Sequence, residues 1–313
     1  MKALVTGGAG FVGSHLSERL LSQGAEVVAI DCFTDYYPRA IKERNLQDLR
    51  GKPGYRLTEA DLNAIDLREA LTGITHVFHL AAQAGVRKSW GRDFQTYTSQ
   101  NVDATQRLLE ACVGLPIERV VYASSSSVYG DNTEMPMRED AMVQPVSPYG
   151  VTKLAAEHLC HLYYVNHGVP TVSLRYFTVY GPRQRPDMGF NRFFSALLEG
   201  RPVMQYGDGF QTRDFTFIAD IVTATAAAAV QGVAGRVYNI GGGSRVSLCD
   251  VFEMIARVSG RRLEIDLQPA QKGDMRDTYA DTSRARADLD FQPSVDLETG
   301  LRAMFTWMEA IRK

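Results

Sequence analysis

The stretch Ser147-Pro148-Tyr149-Gly150-Val151-Thr152-Lys153-Leu154-Ala155-Ala156-Glu157 carries a phenol and an ammonium four residues apart. Ala155, Ala156, Glu157 and Leu159 continue a helical pattern, so Tyr149 and Lys153 share one face of a helix. A fixed cation beside a phenol favours tyrosinate, which makes Tyr149 a candidate general base or acid near neutral pH. A second cluster, Ser124-Ser125-Ser126-Ser127, follows an apolar run over 119–123. It lies at the carboxyl end of a predicted strand, the edge where open parallel sheets keep their sites. Either pattern alone also suits an ordinary helix or a solvated loop. Chemistry requires elements that bring the two together.

Those elements are legible from the first residues. Ala3-Leu4-Val5-Thr6 stops at Gly7-Gly8-Ala9-Gly10-Phe11-Val12-Gly13, and residues 14–23 carry leucines at helical spacing before Gly24. Strand, glycine turn and helix in that order present backbone NH groups to a pyrophosphate, with Gly7, Gly10, Phe11, Val12 and Gly13 as its contacts. The next predicted strand, 26–30, ends at Asp31, roughly 20 residues beyond the turn, where a carboxylate accepts from a ribose diol and repels a 2'-phosphate. Cys32 and Phe33 follow it rather than an arginine, which favours NAD over NADP. A third strand over 55–60 leads to Asp61-Leu62, placed to meet an adenine. A fourth, over 76–80, runs from His76 to Leu80 and into the small residues Ala81-Ala82. A long helix over 94–113, the strand before the serines, the Tyr149 helix and a strand over 171–176 ending at Tyr176 continue the alternation. Strands alternating with helices predict an α/β fold with a doubly wound parallel sheet. Beyond Phe177 the texture turns rich in Pro, Gly and Arg. The expected organisation is a dinucleotide-binding domain over 1–176, with 213–240 returning to it, and a smaller substrate lobe over 177–313.

Composition bounds the rest. With 313 residues, 45% hydrophobic and 22% charged, the chain can bury a large core. A formal charge of -2 gives no general attraction to nucleic acid or to an anionic membrane. Cys32, Cys112, Cys160 and Cys249 show no paired spacing, which points to reduced thiols. Met1 leads almost directly into a strand with no signal-peptide pattern, and no apolar run reaches membrane-spanning length. A cytoplasmic protein is expected. His158 and His161 are three apart on a helix without neighbouring ligands, so no metal is expected.

Gly7, Gly10, Gly13, Asp31, Ser125 and Tyr149 with Lys153 together resemble the extended short-chain dehydrogenase/reductase family over practically the whole chain. The resemblance implies a Rossmann-type sheet holding NAD and a C-terminal lobe binding a nucleotide sugar. It implies Ser125 as the catalytic hydroxyl, Tyr149 as base, and Lys153 bridging base and ribose. The segment Phe177-Thr178-Val179-Tyr180-Gly181-Pro182-Arg183-Gln184-Arg185-Pro186-Asp187-Met188 looks like the signature of the UDP-glucuronate 4-epimerases in that family. By that likeness Thr178 and Arg185 face the sugar carboxylate, with Ser126 and Ser127 nearby. Nucleotide-sugar dehydratases of the family carry Asp-Glu after the catalytic residue, and decarboxylases usually a Glu, where this chain has Ser126-Ser127. Typical UDP-galactose epimerases have Phe-Asn in place of Phe177-Thr178. Arg183 departs from some members. Arg213 and Arg276 resemble the family's pyrophosphate-binding arginines, Tyr206 is in position for the uracil, and Arg87 for orienting the sugar. The helices over 94–113 and 149–165 match those of a four-helix dimer interface, implying a homodimer. The readings that remain beside it are a UDP-glucose 4-epimerase, a UDP-glucuronate decarboxylase, and a non-catalytic NAD-sensing module on the same fold.

Overall fold

The computed structural model of the protein describes residues 1–131 and 134–312. Asn132, Thr133 and Lys313, which fall inside the expected domain ranges, lie outside the described residues. Seven short apolar segments pair in parallel: β1 (Lys2–Thr6), β2 (Glu26–Asp31), β3 (Tyr55–Glu59), β4 (His76–His79), β5 (Arg119–Ser125), β6 (Thr171–Tyr176) and β7 (Val237–Ile240). Their order across the sheet is β7-β6-β5-β4-β1-β2-β3, so the chain reverses direction of winding between β1 and β4. That switch point opens a crevice at the carboxyl ends of the strands.

Side-chain alternation divides the sheet into two dry faces. Ala3 and Val5 point into one core with Phe11, Leu16 and Leu20 of helix α1 (Phe11–Ser22) and with Ile221 and Ala224. Leu4, between them, joins the opposite core with Leu108, Ala156 and Cys160. Strands buried on both faces read as nearly continuous apolar runs, which is why the sequence marks them so clearly.

Of the stretch 213–240, only Val237–Ile240 is a strand of this sheet, paired with Ser173–Tyr176. The helix Ile218–Val230 covers the sheet beside α1, whereas Thr212–Asp214 pairs antiparallel with Arg245–Ser247 outside it. Outside the sheet lies a smaller core in which Phe190, Phe194, Phe252, Ile255, Leu301 and Phe305 bury one another. Here Val203–Tyr206 pairs with Ile265–Gln268.

The helix expected over 94–113 is interrupted. Phe94–Tyr97 is α-helical, Thr98–Asp103 is π-helical, and Ala104–Cys112 resumes the α form. The wider turn carries Asn101 inward, where its amide donates to Gln83 O (3.0 Å) and Thr152 Oγ1 (2.9 Å) while its Oδ1 accepts from Gln83 N (2.7 Å). Such π segments cluster at functional sites because they re-aim one side chain. Among the described residues no helix is long and apolar enough to cross a membrane.

Under the carboxyl end of β5 sits a charged core. Arg175 on β6 grips Glu157 through Nη2–Oε1 (2.6 Å) and Nε–Oε2 (3.1 Å), and Ser124 Oγ donates to the same carboxylate (2.7 Å). The guanidinium lies 4.7 Å from the Tyr129 ring centre. Both partners of the pair are buried. Removing one leaves an uncompensated charge inside the protein, so Glu157→Ala is expected to cost about 3–5 kcal/mol of unfolding free energy in urea titration. A loss below about 1 kcal/mol would mean that the pair contributes no more than an exposed one.

Candidate active site

The crevice at the switch point is a cavity of about 840 Å³, toward the upper end of the range of about 300–1,000 Å³ for ligand pockets. Gly7, Gly10, Phe11, Val12 and Gly13 form its floor. Gly7 has φ +69, and a Cβ there would meet Ala81 N at 2.9 Å; a Cβ on Gly13 would stand 2.2 Å from Gly7 O. Glycine is thus required at both positions. The first turn of α1 has no side-chain cap and no acidic residue, so its NH groups are left for an anion. At the end of β2, Asp31 Oδ2 accepts from Ala9 N (3.1 Å), and Oδ1 accepts from Phe33 N (2.9 Å) and Lys42 Nζ (2.7 Å). An uncapped helix start beside a carboxylate at this distance along the chain fits the pyrophosphate and ribose of NAD.

Leu62, Leu80, Ala81, Ala82 and Tyr176 line the same cavity. Thr6 Oγ1 shapes the turn by accepting from both Leu80 N and Ala81 N (3.1 Å each). Asp61 is not on the wall, although Ala60 and Leu62 are. Its carboxylate is taken by Asn63 N (2.8 Å) and Gln100 Nε2 (3.3 Å).

The catalytic candidates meet across the middle of the cavity. Helix α2 (Pro148–His167) starts on Ser147, whose Oγ accepts from Gly150 N (3.1 Å), with Pro148 in the first turn. That start sets Tyr149 and Lys153 against the end of β5. Ser125 Oγ accepts from Ser127 N (3.1 Å) and stands near enough to the Tyr149 phenol to favour its ionised form. Burial is the largest influence and holds the phenol's pKa above the ordinary tyrosine value; the Arg185 guanidinium and the Ser125 hydroxyl lower it by less. Arg185, which the sequence reading assigned to the sugar carboxylate, is thus also a cation near the phenol. The Lys153 ammonium lies 4.5 Å from the Tyr122 ring centre, and burial pushes its pKa down to about 7.

Ser126, Ser127, Thr178, Arg185, Arg87, Tyr206 and Arg213 also line the cavity. Neither Ser126 nor Ser127 brings a carboxylate to the sugar region. Arg87 pairs with Asp274 (2.7 Å), and its guanidinium lies 4.2 Å from the Tyr206 ring centre. Arg213 donates to Thr212 O (2.8 Å), and burial lowers its pKa. Arg276 is not on the wall: it is exposed and pairs with Asp208 (2.8 Å). Nor does Arg183 line this cavity. In a positive-φ conformation (+66) it turns back onto α1 and pairs with Glu18 (2.7 Å). His15 Nε2 donates to Pro182 O (3.0 Å) beside it, and burial holds that imidazole neutral at a pKa of about 4. The loop bearing Arg185 is therefore bolted to the helix that starts the cofactor floor.

Sequence reading missed Lys42, Asn101, Arg192, Tyr36 and Asp187. Arg192 lies on the wall 5.6 Å from the Tyr206 ring centre. Only Asp187, inside the segment 177–188, had a signal, as an acid two residues from the arginine.

Residues 3–241 match the NAD dependent epimerase/dehydratase family, and the chain belongs to it. The solved UDP-glucuronic acid 4-epimerase from Bacillus cereus, in complex with UDP-glucuronic acid and NAD, matches with a TM-score of 0.97 at 44% identity. The match covers 99% of this chain and 100% of that one. A UDP-glucuronate 4-epimerase of Thermodesulfobacterium geofontis (strain OPF15) is 35% identical over 97% of this chain and 95% of its own. A Bacillus subtilis (strain 168) protein described as an uncharacterized UDP-glucose epimerase, YtcB, is 42% identical over 99% of both chains.

The burial of Lys153 has a measurable consequence. Unfolded, this lysine keeps its proton toward 10.5; folded, it loses it from about 7, so the unfolded state binds more protons in between. Stability of the NAD-free protein then rises with pH across that window. Lys153→Met removes the cost and is expected to raise the melting temperature at pH 7, with the advantage shrinking toward pH 10. A lower melting temperature at pH 7 would contradict the assignment.

Proposed function

We propose that the protein interconverts UDP-glucuronate and UDP-galacturonate by inversion at C4, with NAD retained and regenerated. The observation that carries this reading is Arg185, a cation on the cavity wall close enough to Tyr149 to favour its ionisation. A guanidinium offers planar donors that match a carboxylate, and Thr178 adds a hydroxyl on the same wall.

Bound NAD supplies a reversible acceptor for the hydrogen on sugar C4. Tyr149, as tyrosinate, takes the proton of the 4-hydroxyl, and Ser125 hydrogen-bonds the same oxygen. Lys153 lies one turn along α2 and holds the ribose edge of the cofactor. The oxidised sugar is a 4-ketone whose C6 carboxylate makes it a β-keto acid, which loses CO2 readily when the carboxylate is free. Arg185 and Thr178 hold that carboxylate, and Ser126 and Ser127 offer hydroxyls rather than acids. When the ketone presents its other face, the same hydride goes back to C4 and Tyr149 returns the proton to the oxygen. No net oxidation takes place. Arg213 and Arg87 are proposed for the diphosphate and sugar, and Tyr206 for the uracil.

The protein is further proposed to be a homodimer. Val151, Leu162 and Val165 are exposed and share one face of α2, and exposed Phe94 starts the neighbouring helix. All four thiols are unpaired, which suits the reducing cytoplasm proposed as its compartment.

Proton NMR of purified protein with UDP-glucuronate and with UDP-glucose, separately and without added cofactor, tests the reading. UDP-galacturonate from the first and almost nothing from the second is the expected result. UDP-galactose from the second alone would move the chain to the glucose epimerases, and UDP-xylose from the first to the decarboxylases. Arg185→His is expected to lower kcat/KM for UDP-glucuronate roughly a hundredfold, the loss of a bidentate charged contact, and to increase pentose release. Unchanged kinetics would refute the role of Arg185.

A further inference from the structure

Arg185 already has a partner. Its Nε and Nη2 donate to Asp187 Oδ1 and Oδ2, both at 3.0 Å, and the Tyr36 hydroxyl donates to Oδ2 of the same carboxylate at 3.2 Å. All three side chains line the cavity. Burial pushes the Asp187 carboxyl up, but Arg185 more than offsets it, and the group stays ionised below its ordinary range.

A guanidinium carries two forks of donors in one plane, Nε with one Nη and the two Nη together. Asp187 occupies the first. Nη1 makes no hydrogen bond to any described residue, so the second fork is the edge left for a ligand. Two parallel bonds fix the plane and rotation of a side chain that otherwise has many rotamers. Tyr36 braces the arrangement from the loop that follows Asp31, on the cofactor side of the cavity.

We infer that Asp187, braced by Tyr36, is a positioning residue that presents the Nη1/Nη2 fork of Arg185 to the substrate carboxylate and so sets selectivity for the acid sugar. This rests on the proposed UDP-glucuronate reading. The paired charge also weakens the attraction of Arg185 for any passing anion, leaving geometry rather than bare charge to choose the ligand.

The test compares wild-type, Asp187→Asn and Tyr36→Phe proteins, each as purified with NAD, on UDP-glucuronate. The readouts are kcat, KM and CO2 released per UDP-galacturonate formed. Loss of one charged contact that holds substrate is expected to raise KM about tenfold in Asp187→Asn with kcat changed less. The CO2 ratio rises with it, and Tyr36→Phe moves both in the same direction by less. A merely structural role lowers the amount of active enzyme and leaves KM and the CO2 ratio where they were; that result overturns the inference while the substrate reading stands. A wild-type protein that does not turn over UDP-glucuronate overturns the substrate reading, and the inference with it.

Discussion

In the proposed reaction a phenol has to lose its proton inside a low-dielectric cavity, and the rest of the site bears on that demand. Burial alone opposes ionisation of Tyr149; Arg185 and the Ser125 hydroxyl work against burial. Each of these partners comes from a different element, so none of them helps unless the fold holds all three in register. The end of β5 supplies Ser125, the first turn of α2 supplies Tyr149, and the loop after β6 supplies Arg185. The Glu157–Arg175 pair ties α2 to β6 just beneath them, and Ser124 adds β5 to the same carboxylate. A buried ion pair is a poor source of stability but a stringent source of geometry, since any misplacement leaves a bare charge.

The same logic explains why a chain of net charge -2 has so basic a cavity. Arg87 and Arg185 are each countered by an acid, Asp274 and Asp187. Paired guanidiniums can stay in place without a ligand, yet keep donors for the carboxylate and diphosphate of an acidic nucleotide sugar. Lys153 shows the opposite case. With an aromatic face rather than an acid at its ammonium, it yields to desolvation and sits near neutrality in pKa.

Much of this was legible in the sequence because its signals are local. The glycine turn, Asp31 at a strand end, the serines after β5 and the Tyr149–Lys153 spacing are each read within one element. Apolar strands between helices gave the sheet for the same reason. What escaped depends on contacts between distant segments. Lys42 reaches Asp31 only because its helix folds back over β2, and Asn101 turns inward only because one helix widens to the π form. Arg183 and Arg185 stand two apart in one loop, but a positive φ sends the first to α1 while the second lines the cavity. Arg276 lies in a recognisable segment and still pairs with Asp208 on the outside. The Lys153 ammonium lies against the Tyr122 ring, a contact that helical spacing alone does not reveal.

In the proposed mechanism Arg185 favours the ionisation of Tyr149 as well as facing the substrate. Ultraviolet difference titration of the tyrosinate in NAD-bound protein, with Tyr149→Phe as the blank, measures it directly. Replacing Arg185 by Gln is expected to move the titration of Tyr149 to higher pH, because the favouring charge is gone. A titration left in place, or moved to lower pH, would mean that Arg185 does not favour the tyrosinate and that the phenol is activated by some other group.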